Sequence, residues 1–220
     1  MSDALTLSSL PLFPLGTVLY PGGLLNLRIF EVRYLDMIGR CHKTGAPFGV
    51  VALTEGSEVR KPEAKTPAGD GFAQENFNAV GTLATIAEFS VPQPGLMVIR
   101  CEGTKRFEIS QREKLKHGLW IANVTYLEDD QSVRIPDDLQ GTADALGKLI
   151  RTLQERGDVT AEQMPLLAPY RLDDCGWVAN RWCELLPMPP ELKQRLMELD
   201  NPLLRLELIS DILERTGISG

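Results

Sequence analysis

Over the first 130 residues the apolar positions recur at the short period of strands. Phe107 and Ile109 alternate with Arg106 and Glu108, and Trp120, Ala122, Val124 and Tyr126 share one face of a segment ending at Leu127. Such alternation predicts strands buried on one side. The stretches Pro47–Leu53 and Leu96–Ile99 are continuous apolar runs bounded by Pro and Gly, the pattern of strands covered on both sides, and together these segments predict a closed or nearly closed barrel. One helix interrupts them. Tyr34, Met37 or Ile38, and Cys41 follow helical spacing after Phe30, and Gly45 can take the left-handed conformation that ends a helix. Residues 55–79, rich in Glu, Lys, Pro and Gly, predict a long loop, functional or slack, with room for a strand hairpin in its second half.

Beyond Glu128–Ser132 the period lengthens. Leu139, Ala143, Leu146, Ile150 and Leu153 recur at steps of three and four, with Asp137 and Asp138 placed to favour the start of a helix and Gly157 its end. Thr160 and Gln163 form a potential capping box. Val178, Trp182 and Leu185 mark another helix, Pro190 opens a further one through Leu192 and Leu196, and the last runs from Asn201-Pro202 to Gly217. The expected fold class is therefore α+β, with a β-rich domain over 1–130 and a helical domain over 131–220.

Charge narrows the set of partners. Residues 1–130 carry 13 basic and 15 acidic side chains, and residues 131–220 carry 10 and 15, within a net charge of −7. Neither part is a general binder of polyanions. Lys105, Arg106, Arg112, Lys114 and Lys116, with His117, form the one basic concentration, read as solvated surface because Glu108 and Glu113 dilute it. Cys41, Cys101, Cys175 and Cys183 show no CxxC spacing, and the start MSDALTLSSLPLF lacks a basic segment followed by an apolar core. These features lead to the expectation of a reduced, cytoplasmic protein. No apolar run reaches the ~18 residues that span a bilayer, so no membrane role is expected.

The chemistry-bearing motifs are missing. The histidines are His42 and His117, neither in an HExxH setting, and the sequence has no GxSxG, no GxxxxGK[ST] and no GxGxxG. No catalytic residue, cofactor or metal is expected, although a general acid and base assembled from distant carboxylates would leave no trace in the sequence.

The most informative stretch is Leu10 to Tyr34. Pro11 and Pro14 suit an edge strand because each lacks an amide, Gly22-Gly23 after Pro21 allow a tight turn, and Leu25, Leu27 and Ile29 alternate with Asn26 and Arg28. This stretch resembles the opening of the amino-terminal, substrate-binding domain of Lon proteases, with its Pro-Leu-Phe-Pro start (Pro11–Pro14), Pro-Gly turn (Pro21-Gly22) and Ile-Phe-Glu-x-Arg-Tyr helix start (Ile29–Tyr34). The likeness continues through Pro47–Val51, Val80–Ile86 and Glu102–Phe107 and covers nearly the whole chain.

The resemblance implies a six-stranded PUA-like β pseudo-barrel carrying one helix, followed by a bundle of about four helices. It also implies a domain standing without the ATPase and protease parts, and so a non-catalytic module that recognises protein or peptide segments. An adaptor role follows from relatives in eukaryotic ubiquitin-ligase receptors. Phe13, Tyr20, Phe30, Tyr34 and Phe48 are core residues on the plain reading, and any of them exposed near the barrel mouth becomes a candidate peptide anchor. The binding reading expects an exposed apolar groove where the barrel meets the helices. The alternatives are RNA binding, since PUA-like barrels elsewhere bind RNA, and an enzyme without a recognisable motif.

Overall fold

The alternating segments form seven strands: β1 (Thr6–Leu15), β2 (Leu24–Ile29), β3 (Phe48–Glu55), β4 (Asn76–Phe77), β5 (Val80–Gln93), β6 (Leu96–Lys114) and β7 (Trp120–Tyr126). The computed structural model describes residues 5–55, 75–156 and 163–218. Neighbours pair in the order β1-β7-β6-β5-β3-β4, with β2 on β6, and a further parallel pairing of β1 with β3 closes five strands into a ring. Among the described residues seven strands stand where six were expected, and β4 is only two residues long. The predicted hairpin in the 55–79 stretch falls mostly outside the described residues; its end, β4, pairs with β3 at Leu53↔Phe77.

The strand period of two sorts side chains between two cores. Leu10, Leu12, Val51, Leu83, Phe107, Ala122 and Val124 pack together inside the ring. Their neighbours Phe13, Leu15, Phe48, Val50 and Ala84 turn outward and pack under helix α1 (Val32–Thr44), against Tyr34, Met37 and Ile38. β3 is buried on both faces for this reason, as its continuous apolar run predicted. The ring is tight where glycine replaces a side chain. A Cβ on Gly81 would lie 2.7 Å from Phe107 Cζ and 2.8 Å from Val51 Cγ1, and one on Gly49 would lie 2.8 Å from both Leu12 Cδ2 and Phe107 Cζ. The Phe107 ring, fully buried, fills the volume those two glycines vacate.

Two readings of the barrel are corrected. β1 is not an edge strand but the seam of the ring: Thr6 to Leu12 pair with β7 and Leu12 to Leu15 pair with β3. Each half of β1 has one strand partner, so Pro11 and Pro14 each sit beside an open side where no amide is required. Arg106 belongs to no surface patch; it is 4% exposed and its Nη2 donates to Glu128 O at 3.0 Å.

Helix α1 starts after Glu31, whose carbonyl accepts from Tyr34 N and Leu35 N, and stops at Gly45 with φ 68°. It is held by a buried ion pair. Arg33, 5% exposed, gives Nη2 to Glu75 Oε1 at 2.9 Å and Nη1 to Gly118 O at 2.9 Å, while Trp120 Nε1 donates to Glu75 Oε2 at 2.9 Å. Glu31 lies 3.3 Å from Arg33 Nε, and the guanidinium sits 4.4 Å from the Tyr34 ring centroid. Burial pushes the Glu75 carboxyl up, but the Arg33 and Trp120 hydrogen bonds and the Arg33 charge outweigh it and hold the group below its ordinary value.

The chain divides into two compact units, Met1–Pro21 with Leu25–Glu128 and Gly22–Leu24 with Asp129–Gly220. The second contains a 3-10 turn (Asp137–Leu139) and helices α2 (Gln140–Glu155), α3 (Cys175–Leu185), α4 (Pro190–Glu198) and α5 (Pro202–Thr216). The caps follow the sequence: Asn201 Oδ1 accepts from Leu203 N and Leu204 N, and Gly217 ends α5 at φ 71°. Gly157 and Thr160, expected to end one helix and open another, lie outside the described residues. Cys175 and Cys183 are buried thiols. The helices meet around Arg205, 1% exposed, which pairs with Asp130 and donates to Leu196 O and Asn180 Oδ1 at 2.8 and 3.0 Å. Asp130, in the segment where the sequence period changes, is therefore a structural counter-ion. Gly176 leaves room for it, since a Cβ there would lie 3.0 Å from Asp130 Oδ2.

Two measurements test this account. Gly81→Ala is expected to lower the unfolding free energy by about 1–3 kcal/mol through overpacking, whereas Gly141→Ala on α2, whose Cβ would meet nothing within 4 Å, should raise it by about 0.4–1 kcal/mol; urea titration of both variants reads the contrast. Because Glu75 has a depressed carboxyl in the folded state, its contribution is complete above the ordinary Glu value and is lost as pH falls through the lower, folded one. Glu75→Gln should cost about 3 kcal/mol at neutral pH by leaving Arg33 with Glu31 as its remaining counter-charge, and should remove that part of the acid dependence of stability; an unchanged acid profile would show that the pair does not hold α1.

Candidate functional site

Of the five aromatics singled out in the sequence, four are core. Phe13 is 6% exposed and packs edge-on against Tyr34 and Phe48, with centroids 4.0 and 6.2 Å apart, and Tyr20, Tyr34 and Phe48 are buried as deeply. Phe13, Tyr34 and Phe48 share the core between α1 and the outer face of the sheet, and none of the four rings has surface to present to a ligand. Phe30 is the exception, 54% exposed immediately before α1.

Two residues on is Val32, 73% exposed at the first position of α1. It borders a groove of about 650 Å3 whose lining lies wholly within the barrel unit. One wall is the flank of α1, with Val32, Asp36, Met37 and Arg40. The other is the outer face of the barrel at Pro11 of β1 and Ile121 of β7, and the β6–β7 turn contributes Leu115 and Leu119. Arg33 reaches the groove as a neutralised charge, already paired with Glu75 and Glu31.

Sequence patterns carried two overlooked signals for this groove. Val32 lies off the stripe of Tyr34, Met37 or Ile38, and Cys41, so a helix that buries the stripe must expose it. Ile121 falls between Trp120 and Ala122 in the alternation, so a strand that turns those inward turns Ile121 out. Ser9, at the rim, is a non-glycine residue at φ 56°, in a bulge where β1 slips between Leu7 and Leu10. Bulges of this kind re-aim side chains and collect at binding sites.

The groove offers surfaces for binding and little for covalent chemistry. Cys41 lines it, but burial pushes its thiol up, and burial together with Cys41 raises the nearby Cys101 to about 12. Neither provides a thiolate. Among the described residues no group of His, Cys, Asp and Glu side chains is arranged to hold a metal ion, and no helix is long and apolar enough to cross a membrane. His42 is stacked flat on Phe89, centroids 4.0 Å apart and planes 8° apart.

Known proteins share this architecture. A computed comparison with solved structures finds a Lon N-terminal domain protein from Xanthomonas campestris with a TM-score of 0.68 and 30% identity, covering 93% of this chain and 98% of that one. The N-terminal domain of a Mycobacterium avium complex Lon protease superposes with a TM-score of 0.56 at 17% identity, covering 92% of this chain and 96% of that one, a likeness of fold. Among curated proteins, a Lon protease from Paraburkholderia phytofirmans is 26% identical over 198 residues, 88% of this chain. The match spans only 22% of that relative's length. The family model for the substrate-binding domain of ATP-dependent protease La (LON) matches residues 9–215. The sheet with its five-stranded ring, the helix on its face and the following helices are thus those of a known substrate-recognition domain, and the chain belongs to the Lon substrate-binding domain family.

Proposed function

We propose that this chain is a recognition module, without catalysis of its own, that binds segments of protein or peptide in the groove beside α1 and serves as an adaptor for unfolded or specific partners. The observation that carries the reading is Val32, 73% exposed at the first position of α1 and lining a mainly apolar groove, with the exposed Phe30 two residues before it in the chain. Exposed apolar side chains at a preformed apolar slot mark a surface built to be covered by a partner. The neutralised Arg33 and the elevated thiol of Cys41 support binding over chemistry. The four buried free thiols agree with a reducing, cytoplasmic setting.

No observation favours the RNA alternative. Arg106 is buried, and Arg112 and Lys114 lie over aromatic rings, Arg112 at 4.5 Å from the Phe77 centroid and Lys114 at 5.7 Å from that of Trp120. Such a distribution does not gather phosphate-binding charge on one face.

Binding to a permanently unfolded, reduced and carboxymethylated protein, followed by fluorescence anisotropy, tests the proposal. Phe30→Ala and Val32→Glu are expected to weaken binding by roughly tenfold or more with the far-UV circular dichroism unchanged, because both side chains are exposed. Retained affinity in both variants would sink the assignment of this groove.

A further inference from the structure

The groove beside α1 does not end at Ile121. A second cavity, of about 480 Å3, begins there, and the two share Ser9 and Ile121 in their walls. Its lining is of different chemistry: Gln111, Asn123 and Ser9 supply amide and hydroxyl groups, and its two charged residues, Arg112 and Glu113, are of opposite sign. The amides are held in place. Asn123 Oδ1 accepts from Ser9 N at 3.2 Å, and Asn123 Nδ2 donates to Gln111 Oε1 at 3.3 Å, which fixes the Gln111 Nε2 group as the donor it offers a ligand.

Both flanking strands bulge to build this point. β1 slips between Leu7 and Leu10, and β6 slips between Ile109 and Gln111, so the two irregularities face each other across Asn123 of β7. The extra residues on either side are Ser8-Ser9 and Ser110, and Ser110 Oγ donates to Asn123 O at 3.0 Å. A pair of opposed bulges interrupts the ladder and aims polar side chains to one spot on the outer face.

Spacing then links the two cavities. Ile121 and Asn123 are two residues apart on one strand, so their side chains share a face and lie about 7 Å apart. Same-face side chains of an extended peptide have that same repeat. A segment lying over β7 with an apolar side chain between α1 and Ile121 would therefore bring the residue two positions away over Asn123 and Gln111. A pair of amides there, able both to donate and to accept, matches another primary amide, while Glu113, opposite Ile121 on the same face, repels a carboxylate and the Arg112 guanidinium is engaged with Phe77.

We infer that this face takes extended polypeptide in which an apolar residue is separated by one position from Asn or Gln, the apolar side chain entering the α1 groove and the amide pairing with Gln111 and Asn123. The inference rests on the proposed peptide-binding role of the groove and adds a selectivity to it.

Fluorescein-labelled octapeptides of Ser and Gly provide the test, carrying one Leu and one Gln two positions before or after it, with Gln→Ala, Gln→Asp and adjacent-spacing controls. They are titrated by anisotropy against the intact chain, Gln111→Ala and Val32→Glu; Gln111 is exposed, and circular dichroism checks each fold. The expected result is that one Leu/Gln peptide binds about fivefold tighter than its Gln→Ala, Gln→Asp and adjacent-spacing controls, and that Gln111→Ala removes the difference. Peptides that bind equally well, with binding lost in Val32→Glu, would overturn the amide selectivity and leave the groove standing. Absence of binding, or binding indifferent to Val32→Glu, would overturn the groove reading and the selectivity with it.

Discussion

Arg33 enters the interior of the barrel unit as a full positive charge, and removing such an ion from water costs several kcal/mol that only close counter-charge and acceptors can offset. The chain meets that demand from two remote places and one local one: Glu75, which leads into β4, the carbonyl of Gly118 in the β6–β7 turn, and Glu31 at the start of the helix itself. Trp120 then ties the same carboxylate to β7. One side chain thus fixes where α1 begins, and the wall of the groove follows from it. Phe30 and Val32 flank the segment that this charge pins, which is why two apolar side chains can stand in solvent without drawing the helix inward.

The second constraint is steric. Five strands closing into so small a ring leave little interior volume, and the ring accommodates Phe107 only because Gly49 and Gly81 surrender theirs. Close packing of that kind is intolerant of small changes and makes the barrel a rigid frame. Rigidity of the frame lets the outer face carry irregularities, the opposed bulges around Asn123 among them, without loss of the fold. Binding surfaces on this domain can thus vary at the level of side chains and bulges while the inner ring stays fixed.

Local periodicity made most of the elements legible. The alternation over Trp120–Tyr126, the covered run of β3, the stripe of α1 with Gly45 at its end, and the caps of α5 all read directly from neighbouring residues. What could not be read depended on contacts between remote residues. Nothing near Pro11 and Pro14 reveals that β1 changes partner midway, because both partners lie elsewhere in the chain. Arg33 and Glu75 are 42 residues apart, with Glu75 at the edge of a stretch whose composition signals only a loop. Arg106 looked like its basic neighbours until Glu128 supplied an acceptor. The aromatics were indistinguishable as a class, and only the geometry at the start of α1 separates Phe30 from the four that pack.

The seam in β1 also dictates an order of events during synthesis. Ser9 meets Asn123 across 114 residues of chain, so the first strand made is paired by the last strand of the barrel. A ribosome adding about 5–20 residues per second needs on the order of ten seconds to bridge that interval. Through that time the amino-terminal strand must wait with its apolar face unclosed, and contacts of such long sequence separation are slow to form in any case. The nascent domain therefore spends a short period of every synthesis with apolar surface exposed that the finished ring encloses.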